Sequence, residues 1–195
     1  YRVGGPMYNY YSAVYAGVDQ YGQAMFYVDQ TDENGNVIGR TTTYDFNNAT
    51  KYATKYEHGS ILPKVFGGFG TTVRIANFDV SATFDYQLGG KVFDGYYQSV
   101  ITPAENSGSA GQNIHKDWVR SWSVNNTSSD MPRWQYGDAY GGASSDRFLT
   151  NASYLNFQSF TVGYTLPMKT FNNKLKMRIY VAGENLCYWS ARKGL

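Results

Sequence analysis

The sequence predicts an all-β chain, and three observations support this fold class. Its 195 residues include 19 tyrosines, 11 phenylalanines and 21 glycines; aromatic residues favour strands, and glycine favours the turns that join them. No segment convincingly spaces its apolar residues three and four apart, as an amphipathic helix requires. Four segments instead alternate between apolar and polar residues, which is the period of a β-strand.

The first pair of alternating segments lies in the middle of the chain. From Phe78 to Leu88 every second residue is apolar, and Asp79 and Asp85 belong to the polar set between them. The same alternation runs through residues 69–75. Because the join at Ala76-Asn77 is short enough for a tight turn, we predict two neighbouring antiparallel strands.

The second pair lies near the end of the sequence. Apolar residues alternate through residues 160–166, and Pro167 ends that strand. A polar link through Asn172-Asn173 leads to a further alternating segment at 175–182. This pattern predicts a second hairpin of long strands.

Weaker signals lie in the first quarter of the chain. Residues 7–18 form a tyrosine-rich strand candidate, and Asn34-Gly35 supplies a tight turn between the apolar pairs at 27–28 and 37–38. Together with the two strong hairpins, these signals predict at most eight strands.

A long polar stretch, residues 89–147, separates the two strong hairpins and is rich in Gly, Ser, Asn, Asp and Trp. It far exceeds the usual connection of about four to six residues, so we expect it to be functional. Short turns alternating with long loops are typical of outer-membrane barrels, in which the turns at 77 and 172 would be periplasmic. A soluble β-sandwich produces the same alternation, and periodicity alone leaves the two architectures open.

Charge and composition argue against several classes of function. The net charge is +2, from 17 basic and 15 acidic residues, without the basic stripe that nucleic-acid binding needs. Cys187 is the single cysteine, and with two histidines it forms no metal-binding set. No apolar run approaches the roughly 18 residues of a membrane helix. No signal peptide is visible after Tyr1, and we expect neither a cofactor nor a nucleic-acid partner.

Catalysis is not predicted either. Asp79 and Asp85 are separated by about 20 Å along one strand face at roughly 3.3 Å per residue. The carboxyl pairs of glycosidases lie about 5 to 9.5 Å apart, so this pair does not fit. His58 and His115 lack a Ser or Cys partner motif. A glycoside hydrolase therefore has only scattered carboxylates to support it, and we expect no enzyme.

Short motifs follow one another in a fixed order along most of the chain. Residues 15–19 read YAGVD, 63–70 read PKVFGGFG and 163–167 read GYTLP. Further motifs lie at 22–27, 78–81, 86–92, 115–118, 125–127, 131–133, 145–149, 152–155 and 185–186. This series resembles the C-terminal barrel of SusC/RagA-type TonB-linked outer-membrane transporters.

The resemblance implies a nutrient importer in the outer membrane of a Gram-negative bacterium. Residues 1–195 would be the late part of one antiparallel transmembrane β-barrel domain of about 22 strands, with long extracellular loops. The plug domain and the closing strand would be absent from this sequence. The expected partners are the rest of the barrel, its plug, membrane lipid, a SusD-like surface lipoprotein and a TonB complex. Glycan, oligosaccharide and peptide remain open as cargo, and the alternative is a soluble carbohydrate-binding β-sandwich module.

Three sets of candidate site residues follow from this interpretation. The first set is the loop aromatics, which would contact cargo or lipoprotein unless they pack inside the loops: Trp118, Trp122, Trp134, Tyr136 and Tyr140. The second set would face the lumen, or form ion pairs within the wall: Arg74, Asp79, Asp85, Lys176, Arg178 and Glu184. The third set would face lipid: Val80, Phe84, Val162 and Ile179.

Overall fold

A computed structural model describes residues 3–47, 55–102, 113–138, 140–167 and 177–191. Regular structure in these ranges is mostly β-strand, which confirms the all-β prediction. The chain divides into two compact units. The loop unit comprises Tyr1–Ser60 and Val92–Leu149, and the sheet unit comprises Ile61–Lys91 and Thr150–Leu195.

The described ranges contain eleven strands, more than the eight expected. Several of the strands have only three or four residues, too few to produce a recognisable alternation. In chain order they are β1 (Asn9–Ala13), β2 (Tyr15–Val18), β3 (Ala24–Thr31), β4 (Val37–Thr43), β5 (Lys55–Ser60), β6 (Val65–Ile75), β7 (Phe78–Leu88), β8 (Lys91–Phe93), β9 (Leu149–Asn151), β10 (Tyr154–Leu166) and β11 (Met177–Ser190).

The sheet unit is built on four long antiparallel strands in the order β11-β10-β7-β6. The hairpin predicted around Ala76-Asn77 is confirmed, and Ala76 adopts the left-handed conformation of a tight turn, with φ at 53°. The second hairpin partners, β10 and β11, also pair as predicted. The link expected at Asn172-Asn173 lies outside the described residues. These strands have 11 to 14 residues, which is enough for a tilted membrane span.

Strand β10 begins at Tyr154, six residues before the alternating segment 160–166 from which it was predicted. A β-bulge explains the difference. Phe157 pairs with Phe84 and Ser159 pairs with Thr83, so Gln158 has no partner in the register. The same residue is skipped against β11, where Asn185 adopts a φ of 51°. The extra residue reverses the phase of the alternation, and apolar side chains change from odd to even positions.

The loop unit holds two further sheets. Strands β2, β3 and β4 form one sheet, and β1 pairs with β5 in the other. The turn predicted at Asn34-Gly35 joins β3 to β4, with Gly35 at a φ of 83°. The single strand expected over residues 7–18 is wrong, because Val14 separates two strands that pair with different partners.

The described part of the stretch 89–147 contains regular structure. It contains the helix α1 (Gly95–Ile101), whose first turn is capped by the Asp94 side chain accepting from the backbone N–H of Tyr97 at 3.0 Å. Two 3₁₀ turns follow, Lys116–Arg120 and Asp146–Phe148. A small core is formed by Ile101 from the helix, Trp118 and Phe148 from the two turns, and Met131 from the segment between the turns. The helix was not predicted, because seven residues are too few for a helical period to stand out.

None of the helices in the described ranges is both long enough and apolar enough to cross a membrane.

Candidate functional site

One face of the four-stranded sheet is apolar across all four strands. The register places Val80 between Val73 and Val162, and it places Ile179 beside Tyr164. Phe84 lies between Phe69 and Phe157 on the same face. The four side chains predicted to face lipid, Val80, Phe84, Val162 and Ile179, therefore share this apolar face.

The apolar face is largely uncovered. Ile75 is 71% exposed, Ile179 is 57% exposed and Val181 is 75% exposed. Contiguous exposed apolar surface is uncommon on a soluble monomer and indicates contact with a membrane or another protein. This face of the sheet therefore needs an apolar partner.

A ladder of phenylalanines crosses the middle of the apolar face. The Phe69 and Phe84 rings stack with centroids 5.0 Å apart, and Phe84 stacks on Phe157 at 4.5 Å. Phe160 meets the edge of this ladder, 6.0 Å from Phe157. The rings belong to β6, β7 and β10, so the ladder connects three strands. Aromatic cross-strand pairs of this kind stabilise a sheet by about 0.2 to 1 kcal/mol each.

The opposite face is polar. It carries Asp79, Asp85 and Arg74, together with Arg178 and Glu184 from β11. Lys176, which was predicted for the same face, lies outside the described residues. Asp85 accepts a hydrogen bond from the Asn156 side chain at 2.9 Å. The five described side chains of the predicted lumen set therefore share one face.

A bidentate ion pair crosses the central strand of this polar face. Arg178 Nε donates to Asp79 Oδ1 at 3.0 Å, and its Nη2 donates to the other carboxylate oxygen. The guanidinium passes over Gly163, where an added Cβ would lie 2.6 Å from Arg178 Nε. Gly163 is therefore the gap that lets an arginine on β11 reach an aspartate on β7.

Replacing Gly163 by alanine is expected to displace the Arg178 guanidinium and break the bidentate pair. Because the added methyl group would clash with the arginine side chain, Gly163→Ala should lower the free energy of unfolding much less in an Arg178→Ala background. A double-mutant cycle on the unfolding of the full-length protein measures this coupling. Additive effects of the two substitutions would contradict the packing described for Gly163.

The loop aromatics do not lie on one surface. Trp118 is 8% exposed, in the core of the loop unit, and its ring lies edge-on to Trp134 at 4.7 Å. The burial of Trp118 favours the alternative that this residue packs inside the loops. Trp134 and Tyr136 are exposed, at 44% and 59%. Tyr140 packs beside the buried pair Ala24 and Phe26.

Trp122 is held in place by a close contact with a glycine. A Cβ at Gly22 would lie 2.6 Å from Trp122 Cε3, and Gly22 has a φ of +83°. The backbone N–H of Trp122 donates to the Met131 carbonyl at 2.9 Å, and the Gly22 carbonyl accepts from the backbone N–H of Arg133 at 2.8 Å. This indole therefore packs on backbone that only glycine leaves open.

Gly22→Ala is expected to destabilise the loop unit by roughly 2 to 5 kcal/mol, because left-handed backbone costs about 1 to 2 and overpacking about 1 to 3. Gly35→Ala is the matched control, since Gly35 has the same φ of +83° and nothing within 4 Å of the added Cβ. Urea unfolding of the full-length protein, followed by tryptophan fluorescence, measures both. Equal losses would show that the contact with Trp122 contributes nothing.

A polar network that the sequence did not reveal lies beside the loop core. Asp117 accepts from the Tyr97 hydroxyl at 2.7 Å and pairs with Arg120 at 2.8 Å. Burial raises the pKa of Asp117, but hydrogen bonds from Tyr97 and Arg120 outweigh it and hold that pKa below its usual range. Burial and the Asp117 carboxylate raise the pKa of Tyr97 to about 12. Residues 20 apart in sequence carry no local pattern that predicts this contact.

Among the described residues, no three His, Cys, Asp or Glu side chains are grouped so as to hold a metal ion.

Known proteins resemble this chain in sequence and in fold, although no family model matches it. Over 131 residues, 66% of the chain, it is 30% identical to TonB-dependent receptor P3 of Formosa agariphila. Its fold matches the structure of the RagAB peptide transporter with a TM-score of 0.72 over 95% of the chain, at 23% identity. The resemblance to SusC/RagA-type TonB-dependent transporters is confirmed.

Both of these proteins are much longer than this chain. The chain spans 12% of the Formosa receptor and 19% of the RagAB transporter chain. The match to the RagAB structure confirms the prediction of a β-barrel wall segment as the fold class. Both relatives are named as a receptor or a transporter and neither as an enzyme.

Proposed function

We propose that this chain forms part of the barrel wall and outer loops of a TonB-dependent nutrient importer in a Gram-negative outer membrane. Residues 1–195 are the late part of one barrel domain, whose plug and remaining strands belong to other parts of the protein. A SusD-like surface lipoprotein works with it, and a TonB complex supplies the energy. The named relatives, a TonB-dependent receptor and a peptide transporter, support this assignment.

The observation that carries the proposal is the two-faced sheet. Exposed apolar side chains such as Val181 and Ile179 line one face, and the Asp79–Arg178 pair lies on the other. Barrel strands in outer membranes place apolar residues against lipid and polar residues toward the lumen, alternating along each strand. Lipid supplies the apolar partner that the first face needs, and water in the lumen solvates the second.

The exposed loop aromatics suit contact with cargo or lipoprotein. Trp134 and Tyr136 present large rings with a polar atom at their edge, which is the composition favoured at protein interfaces. Glycan, oligosaccharide and peptide are all compatible with this surface. The buried Trp118 supports the loop from within.

The soluble carbohydrate-binding β-sandwich is the weaker alternative. A sandwich covers the apolar face of each sheet with a second sheet about 10 Å away. Here Ile75, Val181 and Ile179 remain more than half exposed. The uncovered apolar face therefore favours the membrane.

Single cysteine substitutions at two adjacent positions of β11 test the assignment of the two faces. Val181 pairs with Val162 on the apolar face, and Ala182 pairs with Thr161 on the polar face. In full-length protein with Cys187 replaced by serine, a water-soluble maleimide should label Ala182→Cys and spare Val181→Cys. A lipid-soluble maleimide should show the reverse preference, and equal labelling of the two positions by both reagents would contradict the proposal.

Import itself is tested in cells. A strain without the gene should lose growth on one glycan or peptide as its only nutrient, and a strain without TonB should show the same loss. Growth of both strains at the wild-type rate on every such nutrient would refute the transport function while leaving the fold unchanged.

A further inference from the structure

A small polar pocket lies in the loop unit. Its volume is about 250 Å³, and it is lined by Tyr15, Tyr97, Arg120, Asp130, Met131 and Arg147. We call it the Arg147 pocket. Strand β2, helix α1 and both 3₁₀ turns contribute to its lining, so residues more than 100 positions apart in sequence meet there.

The Arg147 guanidinium is fixed in position by three contacts. Its Cζ lies 5.0 Å from the centroid of the Tyr15 ring and 5.5 Å from that of Phe148. Its Nη1 donates to the Gly141 carbonyl at 3.1 Å. Phe148 is only 1% exposed, so one side of the arginine rests on the core of the loop unit. The orientation of this side chain is therefore set before any ligand arrives.

The charge of Arg147 has no acidic partner in the described part of the chain. Arg120, the other arginine of the pocket, is paired with Asp117 at 2.8 Å. The neighbouring Asp146 is engaged elsewhere: its Oδ1 accepts from the Tyr15 N–H at 2.8 Å, and its Oδ2 lies 3.9 Å from His58 Nδ1. A guanidinium has five N–H donors, and within the described ranges one of those of Arg147 donates to a protein oxygen.

A half-buried charge without a partner of opposite charge is costly, and its presence at the wall of a cavity indicates an anionic ligand. Asp130 places a negative charge in the same lining. It disfavours a ligand with two negative charges, such as a phosphate monoester, more than a ligand with one. Burial raises the pKa of Tyr15 and of Tyr97 to about 12, so neither phenol adds negative charge at neutral pH.

We propose that the Arg147 pocket binds a carboxylate group of the imported cargo. The planar guanidinium fork matches a carboxylate in two parallel hydrogen bonds. The pocket has room for one such group and its near surroundings, whether the group belongs to a sugar acid or to an acidic amino-acid side chain. This inference rests on the proposed function, because it treats the bound carboxylate as part of the nutrient.

Calorimetric titration of the full-length protein in detergent tests the proposal. The probes are D-glucuronate and N-acetyl-L-glutamate α-amide, and their neutral counterparts are D-glucose and N-acetyl-L-glutamine amide. At least one acid should bind while its neutral counterpart does not, and the acid that binds identifies the source of the carboxylate. Methyl phosphate should bind more weakly than that acid.

Three variants test the residues. Arg147→Gln should weaken acid binding by about tenfold or more, as loss of a charged hydrogen-bonded pair does. Arg133→Gln is the matched control, because the Arg133 side chain donates to the Tyr21 carbonyl at 3.0 Å in the same unit and does not line the pocket. The affinity of this variant for the acid should be unchanged. Asp130→Asn removes the repelling charge and should strengthen binding at low ionic strength.

Four results would overturn the proposal: no binding of either acid, tighter binding of methyl phosphate, wild-type affinity in Arg147→Gln, or no gain in Asp130→Asn. The gain in Asp130→Asn does not depend on how well the Arg147 variant folds. Cell growth separates this inference from the proposed function. Acid binding without any import would refute the transport function and leave the pocket standing, whereas import of an acidic nutrient that Arg147→Gln does not weaken would refute the pocket alone.

Discussion

Replacing Phe84 by arginine is expected to destabilise the folded protein in the membrane by roughly 2 to 4 kcal/mol, the cost of an arginine at the bilayer midplane on the lipid face of a barrel. Phe84 lies next to the central residue of the 11-residue strand β7. It also stacks between Phe69 and Phe157. The substitution therefore removes the middle ring of the ladder and places a charge on the apolar face.

The adjacent residue provides the control. Thr83 is also central in β7 but lies on the polar face, opposite Gly70 and Ser159. Thr83→Arg should cost much less, because the guanidinium would be solvated in the lumen. Urea unfolding of the full-length protein in lipid vesicles measures both variants, with the heat-dependent shift in gel migration as a second readout. Similar losses for Phe84→Arg and Thr83→Arg would refute the assignment of the two faces.

Phe148→Ala is expected to destabilise the loop unit by roughly 3 to 5 kcal/mol, as truncation of a fully buried phenylalanine does. Phe148 is 1% exposed and belongs to the core with Ile101 and Trp118. Its ring also contacts the rings of Phe93 and Tyr97, at centroid distances of 6.0 and 6.2 Å. Removing it leaves a cavity between the helix and the second 3₁₀ turn.

Tyr96→Ala is the matched control for Phe148→Ala, because Tyr96 is an aromatic residue of the same unit and is 75% exposed. Hydrogen exchange of the full-length protein distinguishes the two units. Phe148→Ala should accelerate exchange in Val92–Leu149 and leave the long strands protected, whereas Tyr96→Ala should change neither. Unchanged protection around α1 in Phe148→Ala would show that this small core does not stabilise the unit.

The long hairpins could be predicted because their two faces meet different surroundings. Val80 and Asp79 are neighbours in sequence but point to opposite faces, and this difference imposes a period of two that is readable without coordinates. The turn at Ala76-Asn77 was predictable for the same reason, since the alternation stops and resumes there. A regular strand whose two faces meet different surroundings therefore shows a recognisable pattern in its local sequence.

The loop unit left no such pattern. Trp118 is buried by residues from α1 and from the second 3₁₀ turn, which are distant in the chain. A tryptophan in a Gly- and Ser-rich stretch looks the same in sequence whether it packs inside or contacts a ligand. The pairing of Arg178 with Asp79 was equally hidden, because it depends on the missing side chain of Gly163 on the strand between them. Contacts that involve three segments cannot be inferred from the spacing within one.

The bulge at Gln158 makes the length of β10 as important as its composition. Loss of this one residue would shift the alternation of the strand by one position. Every residue on one side of the deletion would exchange faces: Leu155 and Phe157 would turn to the side that carries Asp85, and Asn156 would turn to the apolar side. A protein that tolerates many substitutions on this strand should therefore tolerate almost no single-residue deletion within it, except one compensated by an insertion a few positions away.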